Sequence, residues 1–271
     1  VDDLTRSGCN AATAPSEKLE YESLDLLLSK VLAMGESVGR ELSFWKADID
    51  SAFRRIPIRP ADREYSWVAF KHNGRILVAR HNAMMFGSVA SVHHWERVGE
   101  LLKAIARRLL FLPVLRFVDD FFAADHEECA SHAMKVFARL VRALLGPDAI
   151  AERKLEAGNP LTILGVRVEA NLGGITFVPD PAKLANWRDG IEKALASMEL
   201  SGGEASKLAG RLGFTSQYVF KRVGRALLMP IYRQKNSRSS AIGRELRLAL
   251  EWWLEVLREG LCEAASPCAR C

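Results

Sequence analysis

The sequence predicts an α+β fold in which helices cover one face of an antiparallel sheet. Strand and hairpin patterns alternate with helical segments as far as Pro179, whereas only helical patterns follow Pro181. Asn73 and Gly74 lie between two β-rich runs, which is a strong local hairpin signal. Strands, hairpins and helices in this alternation are most economically arranged as a ferredoxin-like βαββαβ core followed by a helical module.

The first half of the chain supplies a strand between two helices. Apolar residues at helical spacing run from Leu24 to Met34, and Phe44 to Ile49 has the pattern of a strand that ends at acidic residues. Pro57 and Pro60 exclude a long helix after that strand. Ser88 to Leu110 is predicted to be a helix. Its apolar face comprises Val92, Trp95, Val98, Leu101, Leu102 and Ile105.

The second half contains the segments with the clearest ends. Asp125 is predicted to be the N-cap of a helix that a Gly-Pro pair ends, with Leu144 in its buried stripe. The runs TILGVRVEA and GITFVP are predicted to be two strands. A capping box of Ser201 and Glu204 predicts the start of a helix in the final module.

Composition indicates a globular protein with free thiols. The 271 residues are 49% hydrophobic, which is enough for a substantial core. Five cysteines, an odd number at scattered spacing, favour a reducing compartment, so we expect an intracellular protein without distinguishing nucleus from cytoplasm. No apolar run reaches the roughly 18 residues of a membrane span. The chain begins with Val1 rather than methionine, so we expect a fragment or a processed product of a longer polyprotein.

Positive charge is concentrated in one region. Between Ser201 and Arg247 there are ten Lys and Arg residues and two acids, a net charge of +8 where the whole chain carries +5. A basic module joined to a mildly acidic one is typical of a protein that binds a phosphate backbone with one part and metal ions with the other. A solvated helical face is the alternative, because the charges alternate with core-like Leu, Val and Phe.

The run FVDDFF places Asp119 and Asp120 among large apolar side chains. One interpretation is a tight hairpin whose turn exposes both acids to water. The other is a metal site, because buried carboxylates need a partner, a proton or a metal ion. Asp48 ends the first core strand, and in a ferredoxin-like sheet this strand end and the FVDDFF hairpin are neighbours. Carboxylates that converge there are suitable ligands for hard divalent cations.

Three motifs in order resemble those of reverse transcriptases. KADIDSAFRRIPI (46–58) resembles motif A, MMFGSVASVHHWERV (84–98) resembles motif B, and FVDD (117–120) resembles the aromatic-x-Asp-Asp of motif C. AERKL and TILG are similar to motifs D and E, and VDDLTRSGCN is similar to a fingers segment of DIRS-like retrotransposon polymerases. The resemblance implies the palm of a right-hand polymerase, with partial fingers and a helical thumb-like module.

The resemblance also implies the roles of individual residues. Asp48, Asp119 and Asp120 would be the catalytic metal ligands for two Mg²⁺ ions, with Mn²⁺ as a possible substitute, whereas Asp50 falls at a variable position of the family. The nucleotide-binding residues would be Phe53, Phe86, Gly87 and Lys154. The primer grip would contain Leu164 and Gly165. The nucleic-acid-binding residues of the basic helices would be Lys207, Arg211, Lys221, Arg222 and Arg225.

From the motifs we predict a partial fingers segment at 1–43, a palm at 44–180, a basic thumb-like module at 181–247 and a C-terminal helix and tail at 248–271. The implied activity is RNA-directed DNA synthesis from dNTPs on an RNA or DNA template with a primer. Because no apolar run is long enough to span a membrane, we expect no membrane partner. The alternative is an inactive retroelement remnant that folds and binds nucleic acid. RNA-templated RNA synthesis is a weaker interpretation, because Phe53 resembles the residue that excludes ribonucleotides.

Overall fold

The computed structural model describes residues 4–5, 7–38, 41–171, 174–218, 224–259 and 263–265. The helices are α1 (Leu24–Val38), α2 (Val89–Leu109), α3 (Glu127–Leu145), α4 (Pro181–Ser197), α5 (Gly202–Tyr218), α6 (Met229–Lys235) and α7 (Arg244–Glu259). The strands are β1 (Leu42–Asp48), β2 (Trp67–His72), β3 (Arg75–Arg80), β4 (Leu115–Phe117), β5 (Asp120–His126), β6 (Leu155–Gly158), β7 (Leu161–Ile163), β8 (Val166–Asn171), β9 (Gly174–Pro179) and β10 (Glu263–Ala265). The chain divides into two compact units, Val1–Leu27 with Ser43–Gly158 and Leu28–Leu42 with Asn159–Cys271.

The first unit is built around a four-stranded sheet in the order β4-β5-β1-β6. Along the chain the elements of this core follow as β1, α2, β4, β5, α3 and β6, which is the βαββαβ order of a ferredoxin-like fold. β1 pairs antiparallel with β6, and β4 pairs antiparallel with β5. The predicted α+β class and its antiparallel pairing are therefore confirmed.

Alternate residues of the two central strands pack against α2 and α3. Trp45 and Ala47 of β1 and Phe121 and Ala123 of β5 are buried in one core cluster with residues of both helices. The ring centroid of Phe137 on α3 lies 5.5 Å from that of Trp45 and 4.8 Å from that of Phe121. Each such ring removes about 150–250 Å² from water, so this cluster contributes strongly to stability. Both helices cover the same face of the sheet, as predicted.

The predicted Asn-Gly hairpin is present as β2 and β3. Asn73 and Gly74 have φ values of 48° and 77°, the left-handed pair of a type I′ turn, whose twist matches that of the flanking strands. β2 and β3 form a sheet of their own. Apolar side chains on this ribbon remain exposed, among them Trp67, Ile76 and Val78.

Two details of the first unit differ from the predictions. α3 begins at Glu127 with His126 as its N-cap, while the Asp125 carboxylate accepts a hydrogen bond from the His126 N–H at 2.8 Å. The cap lies one residue later than predicted because β5 continues to His126. Leu101 and Leu144 are exposed rather than buried, since each lies at the margin of the apolar stripe of its helix.

The second unit contains a sheet in the order β10-β9-β8-β7. The prediction of TILGVRVEA as a single strand is wrong, because Leu164 and Gly165 have φ values of 50° and 79° and reverse the chain between β7 and β8. The predicted capping box at the start of α5 is confirmed. The Glu204 N–H donates to Ser201 Oγ at 3.3 Å, and the Ser201 N–H donates to Glu204 Oε2 at 3.0 Å. Within the described ranges, no helix is long and apolar enough to cross a membrane.

Candidate active site

The candidate site forms where β1 ends beside the turn between β4 and β5. Asp48 is the last residue of β1, and the N–H of Ile49 donates to the carbonyl oxygen of Asp119 at 3.2 Å. Asp120 is the first residue of β5, the strand next to β1 in the sheet. The fold thus brings together the backbones that carry the three acids Asp48, Asp119 and Asp120.

A two-residue turn presents Asp119 and Asp120. Phe117 pairs with Asp120 across the hairpin, so Val118 and Asp119 form the turn itself. Val118 has a φ of 56°, a left-handed conformation that a β-branched residue adopts only at a steric cost. The two acids therefore lie at a hairpin turn, as the first interpretation of FVDDFF expected, but they are half-buried rather than exposed to water. They also lie beside the end of β1, as the second interpretation expected.

The carboxylates of this turn carry charge that their surroundings do not fully compensate. Burial, together with the negative charges of Asp119 and Asp48, raises the pKa of Asp120 to about 6. Burial also raises the pKa of Asp119, with an added contribution from the charge of Asp48. Such shifts mark carboxylates that a nearby cation would stabilise in the ionised form.

Lys154 supplies one cation to the cluster. It ends a 3-10 helix at Glu152–Lys154, directly before β6. Its Nζ lies 3.1 Å from Asp48 Oδ1 and 3.4 Å from Asp50 Oδ1. Burial alone lowers the pKa of Lys154, but the hydrogen bonds and charges of Asp48 and Asp50 outweigh that effect and raise it. Asp50 is thus a salt-bridged acid in this structure.

The donor chemistry of the cluster fits Mg²⁺. Asp48, Asp119 and Asp120 offer hard carboxylate oxygens, and two of these acids have raised pKa values. Among the described residues, no group of three His, Cys, Asp or Glu side chains is arranged to hold a metal ion by itself. Mg²⁺ is usually bound through one or two carboxylates together with water and substrate phosphates. The carboxylates therefore fit a Mg²⁺ ion whose remaining ligands are water or phosphate oxygens.

The predicted nucleotide residues Phe53 and Phe86 are brought into contact. Phe53 lies in a 3-10 helix at Ala52–Arg55 that follows the left-handed residue Ser51. The ring centroids of Phe53 and Phe86 are 5.4 Å apart in an edge-to-face arrangement, which is a favourable geometry for aromatic pairs. The guanidinium carbon of Arg54 lies 5.8 Å from the centroid of the Phe86 ring. Phe53 is half-buried and Phe86 is exposed.

Sequence reasoning missed a contact that anchors Gly87. The Nδ2 group of Asn10 donates to the Gly87 carbonyl at 2.8 Å, and its Oδ1 accepts from the Val89 N–H at 3.0 Å. Asn10 therefore links the N-terminal segment to the start of α2. Gly87 has a φ of 81°, which explains a glycine there. No local pattern joins residues 77 positions apart, so this contact is visible only in the fold.

The remaining predicted residues belong to the second unit. Leu164, Gly165 and Arg211 line one cavity of about 500 Å³, together with Lys183, Asn186, Trp187 and Phe214. The fold therefore places a predicted primer-grip pair beside a predicted nucleic-acid-binding arginine. Lys207 on α5 and Arg225 are exposed. Lys221 and Arg222 lie outside the described residues.

Comparison with known proteins adds evidence for the fold. No family model matches the chain, and no curated protein matches its sequence. A foamy viral protease-reverse transcriptase, in a form designated dRH and in complex with double-stranded DNA, superposes with a TM-score of 0.60 and 17% identity over 95% of this chain. The fold is reverse transcriptase-like. A foamy viral protease-reverse transcriptase in complex with an RNA/DNA hybrid gives a TM-score of 0.58 and 16% identity over 94% of this chain.

A third structure, of the foamy viral protease-reverse transcriptase with double-stranded DNA, gives a TM-score of 0.55 and 18% identity over 95% of this chain. The chain spans 31–48% of the length of these three structures. At this identity the likeness establishes the fold, while activity and substrates have to be argued from the site itself.

Proposed function

We propose that this chain is the RNA-directed DNA polymerase core of a retrotransposon. The observation that carries the proposal is the position of Asp119 and Asp120 on a tight turn beside the end of β1, with raised pKa values. The reverse transcriptase-like fold and the order of the three motifs support it. The opening segment VDDLTRSGCN is similar to a fingers segment of DIRS-like polymerases, so we propose an element of that kind.

The proposed reaction is attack of a primer 3′-hydroxyl on the α-phosphate of a dNTP, with pyrophosphate as the leaving group. Asp48, Asp119 and Asp120 would hold two Mg²⁺ ions, or Mn²⁺, which supply stabilisation of the attacking and leaving oxygens. Lys154, which contacts Asp48, would neutralise negative charge that develops on the leaving pyrophosphate.

Phe53 would select the sugar, and Phe86, which contacts it, would belong to the loop at the new base pair. The left-handed residue Ser51 turns the chain after β1, and Phe53 lies in the 3-10 helix that follows this turn. A large ring under the sugar leaves no room for a 2′-hydroxyl, and a ribonucleotide would then misplace its α-phosphate. Gly87, anchored by Asn10, would support the loop that contacts the new base pair.

The second unit would bind the template and primer. Lys207, Arg211 and Arg225 are exposed cations suited to phosphate contacts, and Leu164 and Gly165 would contact the primer. We expect the polymerase to work within a longer intracellular polyprotein, on an RNA or DNA template.

Primer extension with purified protein, Mg²⁺ and dNTPs tests the proposal. We expect Asp119→Asn to lower the rate by at least about 100-fold, as loss of a group that stabilises transition-state charge does. Asp189→Asn is the matched control, because Asp189 is an exposed acid on α4, and it should extend primers at the wild-type rate. Equal rates for the wild type and Asp119→Asn would contradict the proposal.

The second candidate is an inactive remnant that binds nucleic acid. It is favoured by the basic region between Ser201 and Arg247, whose net charge of +8 suits binding to a phosphate backbone whether or not the acids are active. This candidate predicts salt-dependent binding of primer-template without extension under any metal. For either candidate function, replacing Lys207 and Arg211 with Gln should weaken the binding of primer-template. The slope of the logarithm of the binding constant against the logarithm of salt concentration should fall by about one per lost phosphate contact.

A further inference from the structure

The carbonyl oxygen of Val118 accepts two hydrogen bonds from buried side chains. Trp95 Nε1 on α2 donates to it at 2.9 Å, and Arg116 Nη1 on β4 donates to it at 2.8 Å. Both side chains are at most 1% exposed. One hydrogen-bond partner is enough for a buried carbonyl group, so the second donor exceeds what the Val118 carbonyl needs.

This carbonyl belongs to the peptide unit that joins Val118 to Asp119. Its orientation sets the ψ angle of Val118 and the direction in which the chain enters Asp119. Because Val118 is β-branched and left-handed, its conformation persists only where surrounding groups hold it. Trp95 and Arg116 are groups that can do so.

The two donors are themselves held in place from α2. The Arg116 guanidinium forms ion pairs with Glu96 and Glu100, one and five residues after Trp95. The guanidinium also packs directly against the backbone of α2, since a Cβ at Gly99 would lie 2.7 Å from Arg116 Nη1. The turn is therefore connected to the middle of α2 through these contacts.

We propose that Trp95 and Arg116 are positioning residues for the polymerase reaction. By donating to the Val118 carbonyl, they hold the left-handed turn that places Asp119 and Asp120 beside Asp48. This inference rests on the proposed function for its catalytic consequence, whereas its geometric content concerns the turn alone and is testable without activity.

The test compares two substitutions that remove the same atoms. Trp95→Phe removes an indole N–H that donates to Val118, whereas Trp45→Phe removes an indole N–H for which the described residues offer no hydrogen-bond partner. Both tryptophans are 0% exposed and lie in the same core cluster. The loss of packing is therefore matched, and the hydrogen bond to the turn is the difference between the two variants.

We expect Trp95→Phe to lower kcat about 10–100-fold relative to Trp45→Phe, because a displacement of a catalytic group by about 1 Å has an effect of that size. The KM for dNTP should stay within about threefold, since Phe53 and Phe86 are untouched. A general loss of folded protein would lower the activity of both variants equally. A difference in kcat between them therefore reports the hydrogen bond to the turn.

Hydrogen exchange supplies the readout that needs no activity. The Ile49 N–H donates to the Asp119 carbonyl, so its exchange rate reports whether the turn keeps its place beside β1. We expect exchange at Ile49 to be at least about tenfold faster in Trp95→Phe than in Trp45→Phe. Equal exchange rates in the two variants overturn the positioning role, whatever the activity.

The outcomes separate this inference from the proposed function. Faster exchange in Trp95→Phe with an inactive wild-type protein supports the role of Trp95 in holding the turn and contradicts the polymerase proposal. An active wild type in which both variants share the same kcat and the same exchange rate keeps the polymerase proposal and overturns the inference.

Discussion

Replacing Arg116 with methionine should destabilise the protein more than any other single loss of charge described above. The Arg116 side chain is 1% exposed, and its partner Glu96 is 14% exposed. Methionine keeps much of the volume but removes the cation, which leaves Glu96 mostly buried without its partner. Loss of one member of a buried ion pair costs about 3–5 kcal/mol.

A surface pair provides the control for this substitution. Arg97 and Glu17 also form an ion pair, but their side chains are 58% and 51% exposed. Exposed pairs contribute about 0–1 kcal/mol, so Arg97→Met should change the free energy of unfolding by no more than that. Both substitutions exchange Arg for Met, so the change in charge and side-chain size is matched, although Arg97 lies on α2 and Arg116 on β4.

The assay is urea unfolding followed by tryptophan fluorescence. Adding Glu96→Gln to Arg116→Met should recover part of the loss, since the second substitution removes the buried charge left by the first. A free energy change below about 1 kcal/mol for Arg116→Met, or no recovery in the double variant, would refute the claim that the pair is buried and coupled.

Three further predictions follow from other sites. Gly99→Ala should lower the free energy of unfolding by about 1–3 kcal/mol, because the added methyl would collide with a buried guanidinium. Gly190→Ala on α4, where the methyl meets no atom within 4 Å, should raise it by about 0.5–1 kcal/mol, and urea unfolding compares the two. Because burial raises the pKa of Asp120 to about 6, its contribution to stability in metal-free protein is fully present below about pH 4 and is lost as pH rises through 6. In unfolding measured with EDTA from pH 4 to 7, Asp120→Asn should not lose stability in this way as the pH rises. Identical pH profiles of the free energy of unfolding in the wild type and this variant would disprove the contribution of Asp120. Phe53→Ala should lower the preference for dNTPs over rNTPs at least about tenfold in primer extension, whereas an unchanged ratio would make Phe53 a core residue.

Local signals in the sequence predicted local structure well. The Asn-Gly turn and the Ser201–Glu204 capping box are present as predicted, because each depends on residues within a few positions of one another. The turn within TILGVRVEA was not predicted, because Leu164 has a positive φ and a leucine side chain does not indicate that conformation. The segment forms a hairpin because β7 pairs with β8 across this turn.

The sequence predicted the acidic residues of the candidate site but not the residues that hold them in position. Aspartates among apolar residues require an explanation from sequence alone, and the sheet order then makes the two strand ends neighbours. The burial of Arg116 cannot be inferred in the same way, because arginine side chains usually lie at the surface. Trp95 was predicted to lie on the apolar face of α2, but the acceptor of its N–H is 23 positions away.

The ribbon formed by β2 and β3 also bears on how the protein behaves in concentrated solution. Its two strands form a separate sheet with exposed apolar side chains such as Ile76 and Val78, and such strands readily add to a strand of another molecule. Lys71, Arg75 and Arg80 are exposed on the same ribbon, so two copies that approach each other there would repel. These cations act as gatekeepers against aggregation, and removing them should lower the concentration at which the protein precipitates.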